Sequence, residues 1–175
     1  MISSCVWARV NSPSANADPH GLAVVLVHPE IPPNTGNIGR LCAATLTQLH
    51  LIEPLGFSLD DRYLRRAGLD YWPHLRLATH SSWDAFQGSA GGRRRIYLSA
   101  RGERSYLTAP LSGDDELDLV FGCETRGLPA EISSADPDQV YRIPIAHPAV
   151  RSLNLANAVA IVLYEALRQR GVTAG

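Results

Sequence analysis

The feature that most constrains the fold is a run of six apolar residues at positions 22–27, Leu-Ala-Val-Val-Leu-Val. The run is short, continuous and rich in β-branched valine, which is typical of a strand buried on both faces of a sheet. Three prolines occur in residues 28–34 and are expected to end the strand. Since a strand covered on both faces needs layers packed above and below it, the run predicts an α/β domain.

Short apolar segments of similar character recur along the chain and alternate with helical patterns. A first helix, capped by Asn34 or Thr35, is predicted to run to about Gln48. The last helix is predicted over residues 153–170 with Gly171 as its terminal glycine, and its apolar residues lie on nearly all sides, as in a helix buried on most faces. Strands that alternate with helices predict a parallel sheet. Further strands are predicted at residues 49–52, 75–78, 96–99, 117–121 and 141–145, and short helices at 60–67 and 82–86.

Composition narrows the possible environments and partners. The 175 residues carry a formal net charge of -1, so any RNA site has to be a local basic patch. Three widely spaced cysteines indicate neither a disulfide framework nor a zinc motif, and they fit a reducing cytoplasm. No apolar run approaches the ~20 residues that span a bilayer, so no membrane contact is expected. The six histidines show no metal-ligand spacing either, so no metal is expected. We expect residues 1–20 to be a flexible N-terminal extension and residues 21–175 to form a single domain.

Three segments are rich in polar side chains. Two of them also contain glycines and follow predicted strands, which is where α/β sheets bind ligands. The first segment lacks both the dinucleotide fingerprint and the Walker A lysine, which argues against NAD and nucleoside triphosphates. In the second, Gly122 at the strand end is expected to open space for a ligand. Each segment also has a plainer interpretation, respectively a helix cap, a charged turn and a satisfied core asparagine. The segments are residues 32–40 (Pro-Pro-Asn-Thr-Gly-Asn-Ile-Gly-Arg), 121–129 (Phe-Gly-Cys-Glu-Thr-Arg-Gly-Leu-Pro) and 151–157 (Arg-Ser-Leu-Asn-Leu-Ala-Asn).

The last helix carries a polar stripe in addition to its apolar residues. Asn154, Asn157, Tyr164 and Glu165 fall on one face at spacings of three, seven and eight. A buried amide without a partner costs about 1–3 kcal/mol, so four polar residues on a buried helix predict either a site or a specific interface.

These three segments resemble, in order and spacing, the three motifs of the SPOUT (α/β-knot) RNA methyltransferases. Within that superfamily they are most similar to the TrmL-like (YibK-like) tRNA (cytidine(34)-2′-O)-methyltransferases, a resemblance that residues 29–33, 53–57 and 64–71 extend. It covers about residues 22–171. It implies a parallel sheet flanked by helices, with a C-terminal deep trefoil knot and a homodimer whose active site lies at the interface.

The resemblance also implies an activity. The methyl donor would be S-adenosyl-L-methionine and the product S-adenosyl-L-homocysteine. The acceptor would be the 2′-hydroxyl of the anticodon wobble nucleotide of a tRNA, a cytidine or modified uridine at position 34, in leucine tRNAs. By the same resemblance the cofactor would be bound by Leu98, Gly122, Ile143 and Ser152.

The catalytic residues implied by the resemblance are Arg40, Glu124 and Asn154. Family proposals make Arg40 a general base, but a guanidinium keeps its proton in proteins. We therefore interpret Arg40 as holding the ribose or a phosphate, with water, a phosphate oxygen or Glu124 accepting the proton. Capture of RNA requires cations and stacking platforms. The candidates are Arg62, Arg65, Arg66 and Arg126, with Tyr71 and Trp72 for stacking, whereas residues 93–95 form a second cluster that also fits a solvated turn.

Other functions stay open on the sequence. The same chemistry could act on another tRNA or rRNA site, or the chain could be a non-catalytic RNA-binding module of the same fold. A nucleotide-dependent oxidoreductase or hydrolase is a different enzyme class, and the missing phosphate-binding fingerprints disfavour it. Calorimetry with S-adenosylmethionine and with NAD distinguishes these classes.

Overall fold

The chain forms a seven-stranded parallel sheet in the computed structural model, which describes residues 19–59 and 69–172. The predicted α/β class with a parallel sheet is confirmed. The predicted helix at 60–67, Arg62, Arg65, Arg66 and most of the N-terminal extension lie outside the described residues. The strands are β1 (Leu22–Val27), β2 (Gln48–Ile52), β3 (Leu77–His80), β4 (Arg94–Leu98), β5 (Arg104–Ser105), β6 (Leu117–Phe121) and β7 (Val140–Arg142).

The order of strands across the sheet is β3-β2-β1-β6-β4-β7-β5. Two strands therefore enter between neighbours that precede them in sequence: β6 pairs with both β1 and β4, and β7 pairs with both β4 and β5. Because all pairs are parallel, the carboxyl ends of β1, β6, β4 and β7 meet along one edge of the sheet. We call this edge the carboxyl edge.

Helices cover both faces of the sheet. The helices are α1 (Pro32–Ala44), α2 (Trp83–Ser89), α3 (Ala130–Ser133) and α4 (Leu155–Gln169), with short 3-10 segments at Leu69–His74, Tyr106–Thr108 and Pro137–Gln139. Leu22, Val24 and Leu26 of β1 pack towards α1 and α4, whereas Val25 and Val27 pack towards α2 and α3. All six residues of β1 are fully buried, so the prediction of a strand covered on both faces is confirmed.

The first helix differs from its prediction at both ends. It begins at Pro32, because two prolines suit the first turn of a helix, whose amides lack partners within the helix. Asn34 and Thr35 therefore lie inside the helix, and neither caps it. The helix ends at Ala44, and Leu46 takes a left-handed backbone with φ 55°, which turns the chain towards β2. The prediction that the helix continues to Gln48 was wrong, since Gln48 opens β2.

The observed limits of other strands and helices differ from the predicted ones by a few residues. The predicted strand at 117–121 is confirmed, whereas the one predicted at 75–78 lies at Leu77–His80, because Leu75 packs into the core against Gly39 of α1. The strands predicted at 96–99 and 141–145 lie at Arg94–Leu98 and Val140–Arg142. The helix predicted at 82–86 lies at Trp83–Ser89, and Ser82 caps it through a hydrogen bond from the amide of Ala85.

The last helix ends as predicted but is less buried than predicted. Gly171 has φ 72°, and the amides of Gly171 and Val172 bond to the carbonyls of Arg168 and Leu167, which completes a Schellman cap. One side of α4 packs into the core. The other side exposes Ile161 (37%) and Tyr164 (50%) in the single chain. No described helix has the length and apolar character needed to cross a bilayer.

The arginines at 93–95 form ion pairs at the amino end of the sheet. Arg93 binds the buried carboxylate of Asp118 with a 2.6 Å contact, and Arg95 lies 3.6 Å from the same carboxylate. Arg94 pairs with Asp115 at 2.7 Å. These arginines are half-buried partners of acidic residues, so the cluster is neither a solvated turn nor an RNA contact at the carboxyl edge.

Candidate active site

Three of the four predicted cofactor residues lie at or just after the ends of adjacent strands. In the sheet register Leu98 lies beside Phe121 on one side and beside Tyr141 on the other. Gly122 comes directly after Phe121, and Ile143 comes two residues after Tyr141, so all three lie at the carboxyl edge. Leu98 and the half-buried Ile143 belong to the same apolar cluster. Ser152 is exposed in the segment that leads into α4.

A hydrogen-bond network joins the three motif segments at this edge. The Asn34 amide nitrogen donates to Glu124 Oε1 at 2.9 Å, and Asn154 Nδ2 donates to Asn34 Oδ1 at 2.9 Å. Asn154 also caps α4, because its Oδ1 accepts from the amides of Ala156 and Asn157. The side chain of Asn34 thus connects one predicted catalytic residue to another, and we call Asn34, Glu124 and Asn154 the motif network.

Glu124 is fully engaged as a hydrogen-bond acceptor. Besides Asn34, its carboxylate accepts from the amide of Glu30 at 2.8 Å and from the amide of Ile31 at 3.3 Å. Two backbone donors from the segment before α1 and one side-chain donor from its first turn therefore converge on one carboxylate. The arrangement fixes the loop after β1 against the loop after β6.

Glu30 was not predicted as a site residue from the sequence, but its side chain binds the loop that carries Glu124. Its carboxylate accepts from both the amide (3.2 Å) and the hydroxyl (2.6 Å) of Thr125. The hydroxyl hydrogen bond is the main reason that the pKa of Glu30 is lowered, and the charge of Arg126 adds to it. Arg126 is itself 81% exposed, with a nitrogen 3.8 Å from Glu30.

The glycine at the end of β6 is needed for a reason other than the one predicted. A Cβ on Gly122 would lie 2.0 Å from the peptide that joins Gly127 to Leu128. The space beside Gly122 is therefore filled by the returning loop of the same chain, which Gly127 turns with φ 73°. The prediction that Gly122 opens space for a ligand on its side-chain face was wrong.

Arg40 lies on the exposed face of α1, where an aromatic ring positions it. Its guanidinium carbon is 4.7 Å from the centre of the Tyr71 ring, and the Tyr71 hydroxyl donates to the carbonyl of Gly36 at 2.8 Å. Tyr71 is buried (8% exposed) and Trp72 packs partly against the core. The prediction that Tyr71 stacks on an unpaired base was therefore wrong: the ring supports Arg40 instead.

Sequence patterns contained only part of this arrangement. Residues 29–33 extend the resemblance to the TrmL-like methyltransferases, but no local pattern indicates that the Glu30 carboxylate contacts Thr125, 95 residues further on. Within residues 19–59 and 69–172, no three His, Cys, Asp or Glu side chains are grouped so that they could hold a metal ion.

Comparison with known proteins agrees with this geometry. Residues 21–164 match the model of the SpoU rRNA Methylase family. A curated tRNA (cytidine(34)-2′-O)-methyltransferase of Burkholderia cenocepacia is 53% identical over 156 residues, which cover 87% of this chain and 97% of that protein.

Solved structures give the same grouping. One, described as giving insights into the 2-OH methylation of C/U34 on tRNA, is 49% identical with a TM-score of 0.78, and the match covers 85% of this chain and 95% of that one. An AdoMet-bound rRNA methyltransferase from Sinorhizobium meliloti is 27% identical with a TM-score of 0.74, and there the match covers 84% of this chain and 56% of that one.

Proposed function

Because the chain belongs to the SpoU rRNA methylase family, we propose that it is an S-adenosylmethionine-dependent tRNA 2′-O-methyltransferase acting on the anticodon wobble nucleotide. The acceptor is the ribose 2′-hydroxyl of cytidine or modified uridine 34, in leucine tRNAs. The relatives at about half identity that carry this activity match nearly their whole length, which supports transfer of the substrate class.

The observation that carries the proposal is the motif network. Asn34, Glu124 and Asn154 come from three segments that are up to 120 residues apart, and they are linked by hydrogen bonds of 2.9 Å. A charged turn, a helix cap and a core asparagine that served separate structural purposes would have no reason to meet. Their convergence at the carboxyl edge supports one composite site built from all three.

The residues at this edge fit a sulfonium methyl donor with an adenine ring. Leu98 and Ile143 present apolar side chains at adjacent strand ends, which suits a flat heterocycle, and Ser152 adds an exposed hydroxyl. When bound, S-adenosylmethionine supplies a methyl group on a positively charged sulfur. We assign Leu98, Gly122, Ile143 and Ser152 to this cofactor, with Gly122 acting through its backbone, since its side-chain face is covered.

Arg40 and Glu124 have different roles in this proposal. The Tyr71 ring holds the permanently charged guanidinium of Arg40 at the helix surface, where it aligns the ribose or its phosphate for in-line attack. The Glu124 carboxylate already accepts three hydrogen bonds and so orders the loops around the site. The proton of the 2′-hydroxyl passes to water or to a phosphate oxygen, and Asn154 holds the start of α4 in register with α1.

The proposal extends to assembly and topology. The exposed Ile161 and Tyr164 on α4, next to Asn157, support a homodimer with this helix in the interface. The insertion of β6 and β7 between earlier strands supports a C-terminal trefoil knot within one domain of residues 21–175. RNA contacts from Arg62, Arg65, Arg66 and Arg126 and a cytoplasmic location complete the proposal.

The proposed function is tested by the position of the methyl group. Bulk tRNA and rRNA are incubated with the protein and with donor labelled in its methyl group, and protection of one phosphodiester from alkaline cleavage locates the modified ribose. Label at the wobble nucleotide is expected, with at least about a 100-fold lower rate for Arg40→Ala. Label at another RNA position would indicate the alternative substrate, and no label with retained RNA binding would indicate a non-catalytic module.

A further inference from the structure

A second concave feature lies at the carboxyl edge beside the motif network. It is an open cavity of about 470 Å³, walled by the loop that follows β6 and by the residues that leave β1 and β4. Cys123, Arg126 and Leu128 come from the same loop as Glu124. His28 and Arg101 line the opposite side. None of the roles assigned above to the cofactor or catalytic residues uses His28 or Arg101.

Among the described residues, two groups of arginines lie at opposite ends of the sheet. At the amino end, Arg93 and Arg94 are bound to Asp118 and Asp115. At the carboxyl edge the side chains of Arg101, Arg142 and Arg151 are exposed, and none of them forms an ion pair within the part of the chain that the structure describes. These three arginines are therefore cations that no carboxylate of the described residues neutralises in an ion pair, although the formal net charge of the whole chain is -1.

The cavity itself combines cations with an apolar floor. Glu131 is the one carboxylate in the lining, where Arg101 and Arg126 are the cations and the imidazole of His28 adds a further nitrogen donor. Arg126 is paired with Glu30 at 3.8 Å, which leaves Arg101 as the cation without an ion pair. His28 has a left-handed backbone, φ 53°, which turns the chain out of β1 at the cavity wall. Leu128 and Pro129 supply the apolar lining. Forked guanidinium groups suit a phosphate, and an apolar lining suits the adjoining sugar.

We propose that this cavity binds a phosphodiester group of the RNA substrate, with Arg101 as the principal contact and His28 as a second donor. The inference rests on the proposed function, because it takes the RNA to be already held at the adjoining motif network. The loop of residues 122–128 then serves both sites: Glu124 fixes the loop to α1, and the same loop carries Arg126 into the cavity. The phosphate contact fixes the register of the strand and carries no information about base identity.

The test compares two arginines that are three residues apart. Arg101→Gln removes the proposed phosphate contact, and Arg104→Gln is the matched control, since Arg104 is half-exposed and paired with Asp138 at 2.8 Å outside the cavity. Both variants lose the same charge. Binding of unmodified tRNA is measured directly over a range of salt concentrations, without any methyl transfer, and binding of S-adenosylmethionine is measured by calorimetry.

Arg101→Gln is expected to weaken tRNA binding about 5- to 20-fold at low salt and to reduce the slope of log K against log salt by about 1, whereas the control keeps the wild-type slope. Donor affinity is expected to be unchanged in both. Equal tRNA affinities for the two variants would overturn the proposal, as would a loss confined to donor affinity, which would place the methionine carboxylate in the cavity. A wild-type protein that binds tRNA with the Arg101 dependence but transfers no methyl group would refute the proposed function alone.

Discussion

Glu30 and Glu124 each hold the loop that carries the other. The Glu30 amide donates to Glu124 Oε2 at 2.8 Å, while the Glu30 carboxylate accepts from Thr125, the residue after Glu124. Two carboxylates at the carboxyl edge are thus used as acceptors for backbone and side-chain donors. Since neither loop can shift without breaking bonds to the other, the loop after β1 and the loop after β6 behave as one unit.

Replacing Glu124 tests whether its carboxylate holds the two loops together or accepts the proton of the 2′-hydroxyl. Glu124→Gln puts an amide where three donors converge, so we expect the free energy of unfolding to fall by about 1–3 kcal/mol. Glu103→Gln, at an exposed position, is expected to change it by less than about 0.5 kcal/mol. Urea unfolding measures both. A double variant with Asn34→Ala is expected to lose less than the sum of the single losses. A fall in turnover with unchanged stability would instead make Glu124 the proton acceptor.

Tyr71 offers two variants that separate its hydroxyl from its ring. Tyr71→Phe removes the hydrogen bond to Gly36 and is expected to lower stability by about 0.5–1.5 kcal/mol, with Arg40 still above a ring. Tyr71→Leu also removes the ring and is expected to lower the single-turnover rate about 10-fold beyond the loss in Tyr71→Phe, because Arg40 loses its support. Equal rates for the two variants would show that the ring has no part in positioning Arg40.

Two glycine-to-alanine changes should act in opposite directions. Gly122→Ala would place a methyl group 2.0 Å from the Gly127–Leu128 peptide, so we expect a loss of more than about 3 kcal/mol or failure to fold. Gly88 lies in α2 with nothing within 4 Å of its Cβ position, and Gly88→Ala should gain about 0.5–1 kcal/mol from helix propensity. Thermal unfolding measures both. A stable Gly122→Ala protein would mean that the returning loop is free to move away.

A half-buried histidine pair makes stability depend on pH. His50 Nδ1 lies 2.9 Å from His80 Nε2, and burial, followed by the charges of His80 and Arg93, lowers the pKa of His50 to about 3. The unfolded chain binds the proton at about pH 6.5, so this contribution to stability is complete above that pH and is lost as the pH falls towards 3. The loss is about 2 kcal/mol by pH 5. His50→Gln should flatten the unfolding profile between pH 7 and pH 5, whereas His74→Gln, at an exposed position, should not.

The sequence predicted best where one segment alone determines the outcome. The apolar run of β1 and the Gly171 terminus depend on residues a few positions apart, and both are confirmed. Asn34 shows the limit. Its residue type suits a helix cap, but its side chain bonds to Glu124, 90 residues away, and the helix starts at the prolines instead. Local propensity yielded there to a long-range contact.

The sequence predicted which segments form the site, but it did not predict which side chains contact one another. The three motif segments were found from composition and order, whereas the partners of Glu30 and Tyr71 depend on how distant strands align. Gly122 shows the same limit, because a glycine at a strand end fits either a ligand or the chain itself. Only the path of residues 127–128 decides between them.

The place of β6 in the sheet has a consequence for how the chain is made. The strand lies between β1 and β4, so during synthesis from the amino terminus those two strands have no common neighbour until residue 121 has been added. A nascent chain that stops short of this point holds one patch of sheet, β3-β2-β1, with an unpaired edge at β1, and β4 has neither of its strand partners. Completion of the domain therefore waits for its carboxyl half, and a ribosome-bound chain ending before residue 117 should remain open to proteases and chaperones.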